Sequence, residues 1–227
     1  MRDIMIRSSI LLSTVAALGL SACTTGGALF DENDPNRQAK TGALAGAATG
    51  AVAGRLAAGN GDVGERNRSV LAGALIGAAA GAAIGNQLDK QEAELRQQLG
   101  SQVDIRNTGD RLIVTMPQDI LFATDSATLS GGLLGDIQDV AQSILRYPNT
   151  TTQIIGHTDS DGDAAYNLSL SQRRAQAVAN VFLAQNVPAS RIQVIGRGED
   201  QPIASNLTPQ GKQQNRRVEI VILPNAT

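Results

Sequence analysis

GHTDSDGDAAYNLSLSQRRA, residues 156–175, changes its period halfway along. It follows the β-favouring run Thr152-Gln-Ile-Ile155 and therefore opens on a strand end. Asp159, Asp161 and Gly162 mark a turn, and a helix begins near Asp163 or Ala164. Within that helix Asn167, Ser171 and Arg174 fall on one face, and Ala175, Val178 and Phe182 form the adjoining apolar stripe that packs on a sheet. A carboxylate just past a strand end sits where loop residues face a ligand. A tight strand–turn–helix can therefore bring Asp159 and Arg174 to either side of a small cleft.

The pattern T-D-x2-G-x3-Y-N-x2-L-S-x2-R-A is met by Thr158, Asp159, Gly162, Tyr166, Asn167, Leu170, Ser171, Arg174 and Ala175. It resembles the signature of the OmpA C-terminal-like, peptidoglycan-binding family. Asn215-Arg-Arg-Val-Glu219 resembles that family's closing N-R-R-V-E strand, and Gly196-Arg-Gly-Glu199 with Pro202 its G-x-G-E-x2-P segment. The resemblance spans Val103 to Leu223. It implies a ligand, the peptide stem of peptidoglycan read through meso-diaminopimelate, whose far end carries an ammonium and a carboxylate on one carbon. Asp159 suits the ammonium and the forked guanidinium of Arg174 the carboxylate. Asn167, Thr158 and Asp125 are the further expected contacts, Asp125 through the segment that starts at Phe122. Ala123 and Thr124 stand where many members carry Asp and Phe. Other roles stay open here: an Asp159–Arg174 salt bridge, a helix cap for Asn167, and packing or ion pairing for Arg216 and Arg217.

Outward from this stretch, strands at Val103–Ile105, Leu112–Met116, Arg191–Ile195 and Arg217–Leu223 alternate with a helix from about Leu133 to Arg146. The expected fold is an α/β sandwich with a small mixed sheet and two main helices, covering residues 101–227. Upstream, Gly42, Gly46, Gly50 and Gly54 recur every fourth residue, as do Gly73, Gly77, Gly81 and Gly85. Such a groove lets another backbone approach closely. The region 41–86 thus predicts an α-helical glycine-zipper hairpin, either associated with a membrane or an Ala/Gly-rich helical pair that self-associates or stays partly disordered. Residues 87–100, with Leu88, Leu95 and Leu99 among charged neighbours, predict a helical spacer or short oligomerisation segment.

Residues 1–22 have the form of a secretory signal: Arg2 and Arg7, then the short apolar run Ile10–Leu20. Leu20-Ser-Ala-Cys23 resembles a bacterial lipobox, which implies cleavage before Cys23 and its acylation. Thr24, where an aspartate would retain the protein elsewhere, points to the outer membrane; residues 23–40 follow as a polar tether. Cys23 is the sole cysteine, so no disulfide within the chain is expected.

A net charge of −2 and 2% aromatics supply neither a basic field nor stacking platforms, so no nucleic-acid partner is expected. His157 is the only histidine, and there is no nucleophile elbow or metal-ligand cluster; the chain is expected to be no enzyme, with no catalytic residues, cofactor or metal. The expected function is non-covalent binding of peptidoglycan by a lipid-anchored outer-membrane protein facing the periplasm, tethering membrane to wall. Its expected partners are peptidoglycan, the outer membrane, and a homo-oligomer or membrane protein engaged through the zipper. The alternative is an envelope assembly or scaffold lipoprotein acting through its glycine-zipper region.

Overall fold

The computed structural model describes residues 37–57, 63–123 and 125–225. The signal segment, Cys23 and the tether up to residue 36 lie outside them.

Helices α1 (Arg37–Ala57) and α2 (Val63–Gln98) form the expected hairpin, with α1 beginning inside the region expected to be tether. Their glycines pair across the seam. A methyl group on Gly42 would be driven into the carbonyl of Gly81, one on Gly46 into that of Gly77, and one on Gly50 into that of Gly73. Gly54 meets Ser69 in the same way. Each glycine face is therefore filled by the opposite arm.

α2 does not stop where the zipper stops but runs on through the segment expected to be a spacer. The helix runs unbroken to Gln98, and Leu88, Gln91 and Leu95 are fully buried. Leu88 and Leu95 belong to the same core as the sheet and its helices. Gln91 donates to Ser143 Oγ at 3.0 Å, Tyr147 to Glu94 at 2.9 Å, and Arg96 to the carbonyl of Ile105 at 2.6 Å. One apolar residue every second turn is a stripe narrow enough for a coiled-coil seam, and equally for docking on a domain.

The sheet contains β1 (Asp104–Asn107), β2 (Leu112–Pro117), β3 (Thr150–His157), β4 (Ile192–Gly196) and β5 (Arg217–Pro224), in the order β1-β2-β5-β3-β4. β3 and β4 run parallel and the other neighbours antiparallel, so the sheet is mixed as expected. Helices α4 (Leu134–Arg146) and α5 (Ala164–Ala184) supply Ile137, Val140, Ile144, Ala175, Val178 and Phe182 to the core. They meet Leu112, Val114 and Met116 of β2 and Val218, Ile220 and Ile222 of β5, the inward residues of a two-residue alternation. Short helix α3 (Gln118–Leu121) follows β2 directly, and short helix α6 (Pro209–Asn215) leads into β5.

Gly156 fixes the close approach of β3 and α5. A methyl group there would strike the carbonyl of Ser171, so only glycine lets the helix carrying Arg174 lie this near the strand leading to Asp159.

Candidate functional site

Beyond β3 the chain turns through residues 158–163. The Thr158 amide donates to the Gly198 carbonyl at 2.8 Å, which holds the strand end against the loop after β4. Asp159 Oδ1 accepts from the Asp161 amide at 3.1 Å, and Gly162 takes a φ of 97° that closes the turn. Asp163 then caps α5, accepting from the amides of Ala165 and Tyr166 at 2.9 and 3.2 Å.

Asn167 is therefore not the cap. Its Nδ2 donates to the Asp161 carbonyl at 3.0 Å and to Glu199 at 2.7 Å, pinning the loop that presents Asp159. Ser171, one turn on, accepts from the Gly198 amide at 2.9 Å and donates to the Leu168 carbonyl at 2.8 Å. The helix face foreseen from the sequence is buried and fixes the loops above it.

Asp159 and Arg174 do not pair with each other. Asp159, 7% exposed, accepts from Arg216 Nη1 at 2.7 Å. Arg216 also grips Asp119 with two parallel bonds, Nε to Oδ1 at 3.0 Å and Nη2 to Oδ2 at 2.8 Å. These bonds hold the Asp119 carboxyl below its ordinary value and raise Arg216 above its own. Arg174 is only 2% exposed. Its Nε donates to the Ser126 carbonyl at 2.8 Å, and its guanidinium lies 5.5 Å from the centre of the Phe122 ring. Among the described residues no carboxylate comes within ion-pair distance of it. Burial pushes its guanidinium down from the usual value, against the pull of Asp125, yet arginine stays charged at any pH where the protein folds.

Asp125 has a left-handed backbone, φ 56°, and accepts from the Tyr166 hydroxyl. The Thr158 hydroxyl is buried and has no hydrogen-bond partner among the described residues. Asp125, Thr158, Asp159, Asn167 and Arg174 all line one cleft of about 730 Å³, shared with Phe122, Asp119, Tyr166 and Arg216. Four carboxylates (Asp119, Asp125, Asp159, Asp161) and two guanidinium groups (Arg174, Arg216) ring it. Chemically it can receive a cation beside Asp159 and an anion beside Arg174, with polar groups to orient both. Cys23, the expected lipidation site, lies outside the described residues.

Sequence reasoning missed Asp119 and left Arg216 undecided. The Asn215-Arg-Arg217 run divides its work. Asn215 ties down the loop before it, accepting from Ile203 and Ala204 amides at 2.8 and 3.0 Å. Arg216 turns into the cleft, and Arg217 pairs with Glu219 at 2.7 Å.

Comparison with known proteins follows the same division. Residues 121–216 match the OmpA family model, and residues 5–89 the YMGG-like Gly-zipper model. The chain is 41% identical to the probable lipoprotein YiaD of Escherichia coli, over 92% of this chain and 93% of that protein. It is 39% identical to the peptidoglycan-binding protein ArfA of Mycobacterium bovis, over 45% of this chain and 32% of that one. Among solved structures it resembles the cell wall anchor of the T6SS from Pseudomonas aeruginosa. There the TM-score is 0.51 at 29% identity, covering 63% of this chain and 97% of that one.

Proposed function

The chain belongs to the OmpA family, as a lipoprotein of the YiaD type with a glycine-zipper region, and from that we propose that its cleft binds the stem peptide of peptidoglycan through meso-diaminopimelate. The observation that carries this reading is Arg174: a buried guanidinium at a cleft wall whose partners among the described residues are one carbonyl and one ring. A buried charge is costly unless paired, and a ligand carboxylate is the missing partner. Asp159 supplies the complementary half. Its carboxylate is oriented by Arg216 and the Asp161 amide, and retains lone-pair sites for an ammonium. Diaminopimelate presents both groups on one carbon. The unpartnered Thr158 hydroxyl and the Asp125–Tyr166 pair stand around the same space as further polar contacts. Asn167 contributes as a positioning residue, through the loop it holds.

In this reading the protein is acylated at Cys23 and faces the periplasm, so that wall binding ties the outer membrane to the sacculus. Several acyl chains at about 0.8 kcal/mol per buried CH2 give stable anchoring. The scaffold alternative draws less support, because the glycine faces it would use are filled by the opposite arm of the hairpin.

Retention on purified diaminopimelate-containing sacculi tests the proposal. Wild-type protein should be retained, and Arg174→Ala or Asp159→Ala should lose roughly 10–100-fold in affinity, the worth of one charge-assisted bond of about 1.5–3 kcal/mol. Circular dichroism reports whether each variant is folded. Wild-type retention by both folded variants would remove the cleft from wall binding.

A further inference from the structure

Between its charged ends the α1–α2 hairpin is apolar on every side. Residues 41–54 and 69–85 contain no charged side chain, and the glycines face inward across the seam. The large side chains left outside are aliphatic, with Leu44, Val52, Leu56, Leu71, Leu75 and Ile76 48–77% exposed among alanines. Thr49 bonds its hydroxyl to the Ala45 carbonyl of its own helix at 3.0 Å. A helix with one polar face can lie along a membrane surface, whereas one apolar all round is buried in protein or in lipid. α2 contains a stretch long and apolar enough to cross a membrane, only 6% of which is buried.

We infer that the hairpin inserts end-on into a lipid bilayer, with acyl chains covering its outer faces. The glycine faces, which allow the closest backbone approach, are consumed within the hairpin and are not open to a second copy. The charges lie only at the two ends: Arg55 and Arg68 beside the tip, Lys40 and Asp89-Lys90 at the base. That places them in the two headgroup layers, which long basic side chains can reach from just inside. The charge-free arms are about 21 and 25 Å long at 1.5 Å per residue. They fall short of a typical hydrocarbon core of about 30 Å, but the bacterial outer membrane is thinner than average. Cys23 stands fourteen positions before α1, close enough for the anchor proposed above to hold the base at a bilayer surface. Because α2 continues unbroken into the core of the OmpA domain, the insert would mount the cleft rigidly at the membrane.

The test uses the full mature chain carrying Cys23→Ala, which removes both the acyl anchor and the only native thiol. Single cysteines introduced by Leu75→Cys or Gln97→Cys take a nitroxide label, and the protein is reconstituted in phosphatidylethanolamine–phosphatidylglycerol vesicles. The label at 75 should be open to oxygen and at least ten-fold less accessible to a water-soluble nickel chelate than the label at 97. Equal chelate accessibility would overturn the inference. So would a label at 75 shielded from both probes with spin coupling between chains, because a second copy would then cover the face. In the same Cys23→Ala chain, Leu75→Asp with Ile76→Asp should lower co-flotation with vesicles about a hundred-fold or more. Undiminished flotation would again overturn it. Sacculus retention of that variant, expected to stay at the wild-type level, shows that the OmpA domain is folded and keeps the outcome separate from that of the cleft.

Discussion

Arg216 binds Asp119 and Asp159 with three charge-assisted hydrogen bonds, yet its proposed role is to orient Asp159 for the ligand's ammonium. Arg216→Ala should weaken binding of a stem peptide about ten-fold by calorimetry, without changing which peptide is preferred, because Arg174 is untouched. Arg216→Lys should recover little, since a single ammonium cannot hold both oxygens of Asp119 while reaching Asp159. His157, the last residue of β3, is 1% exposed, and among the described residues neither ring nitrogen has a hydrogen-bond partner. Burial first, then the charge of Arg217, pulls it down to about 4. Between there and about 6.5 the unfolded chain binds a proton the folded chain refuses, so stability is full above the window and falls as pH drops through it. The loss should reach about 2–3 kcal/mol by pH 4. Chemical denaturation at pH 7 and pH 4 should show a smaller difference in His157→Asn than in wild type. Thr158, Asp159, Asn167 and Arg174 were legible because they lie in one local motif with a strand-to-helix change of period. Asp119 was not, because it lies 97 positions from Arg216 and only the sheet brings them together. That Arg174 has no carboxylate within ion-pair distance among the described residues leaves no signature in the sequence.

α2 joins two kinds of surface in one helix. Its first part is zipper and its last part is core, and no glycine, proline or cap divides them. The sequence showed Leu88 and Leu95 on one face but not what that face meets, since a narrow stripe among charges fits a seam between chains as well as a domain. The structure makes the choice testable. Leu95→Ala should destabilise the OmpA domain by about 2–5 kcal/mol in urea, as loss of a buried leucine does, where a solvated spacer would tolerate it. The zipper was legible from its four-residue glycine period; which backbone closes it was not, because the period is the same within a chain and between chains. Gly77→Leu should force the arms apart, since even a methyl group would strike the Gly46 carbonyl. Paired spin labels across the hairpin should then report a longer distance, while sacculus binding by the OmpA domain stays unchanged.

At the scale of the whole molecule, a mixed sheet and its helices build a cleft at one end of β3, and a hairpin stands on the helix that also completes their core. The αβ alternation of the sequence carried the sheet and its two covering helices; the third covering helix came from the region expected to be a spacer. Two charge-assisted contacts of about 1.5–3 kcal/mol each give an affinity only on the order of a millimolar for one stem. Firm attachment then comes from the many stems of one sacculus, acting on protein held at a membrane. The most direct measurement of the central claim is therefore made on one stem at a time, free of that multiplicity. Calorimetry of the full chain in detergent would compare a stem peptide ending its side chain in diaminopimelate with the same peptide carrying lysine, which lacks the distal carboxylate. The account predicts roughly 10–100-fold tighter binding of the diaminopimelate peptide by wild type, and no difference between the two in Arg174→Ala. Equal affinity of the folded wild-type protein for both peptides would contradict it.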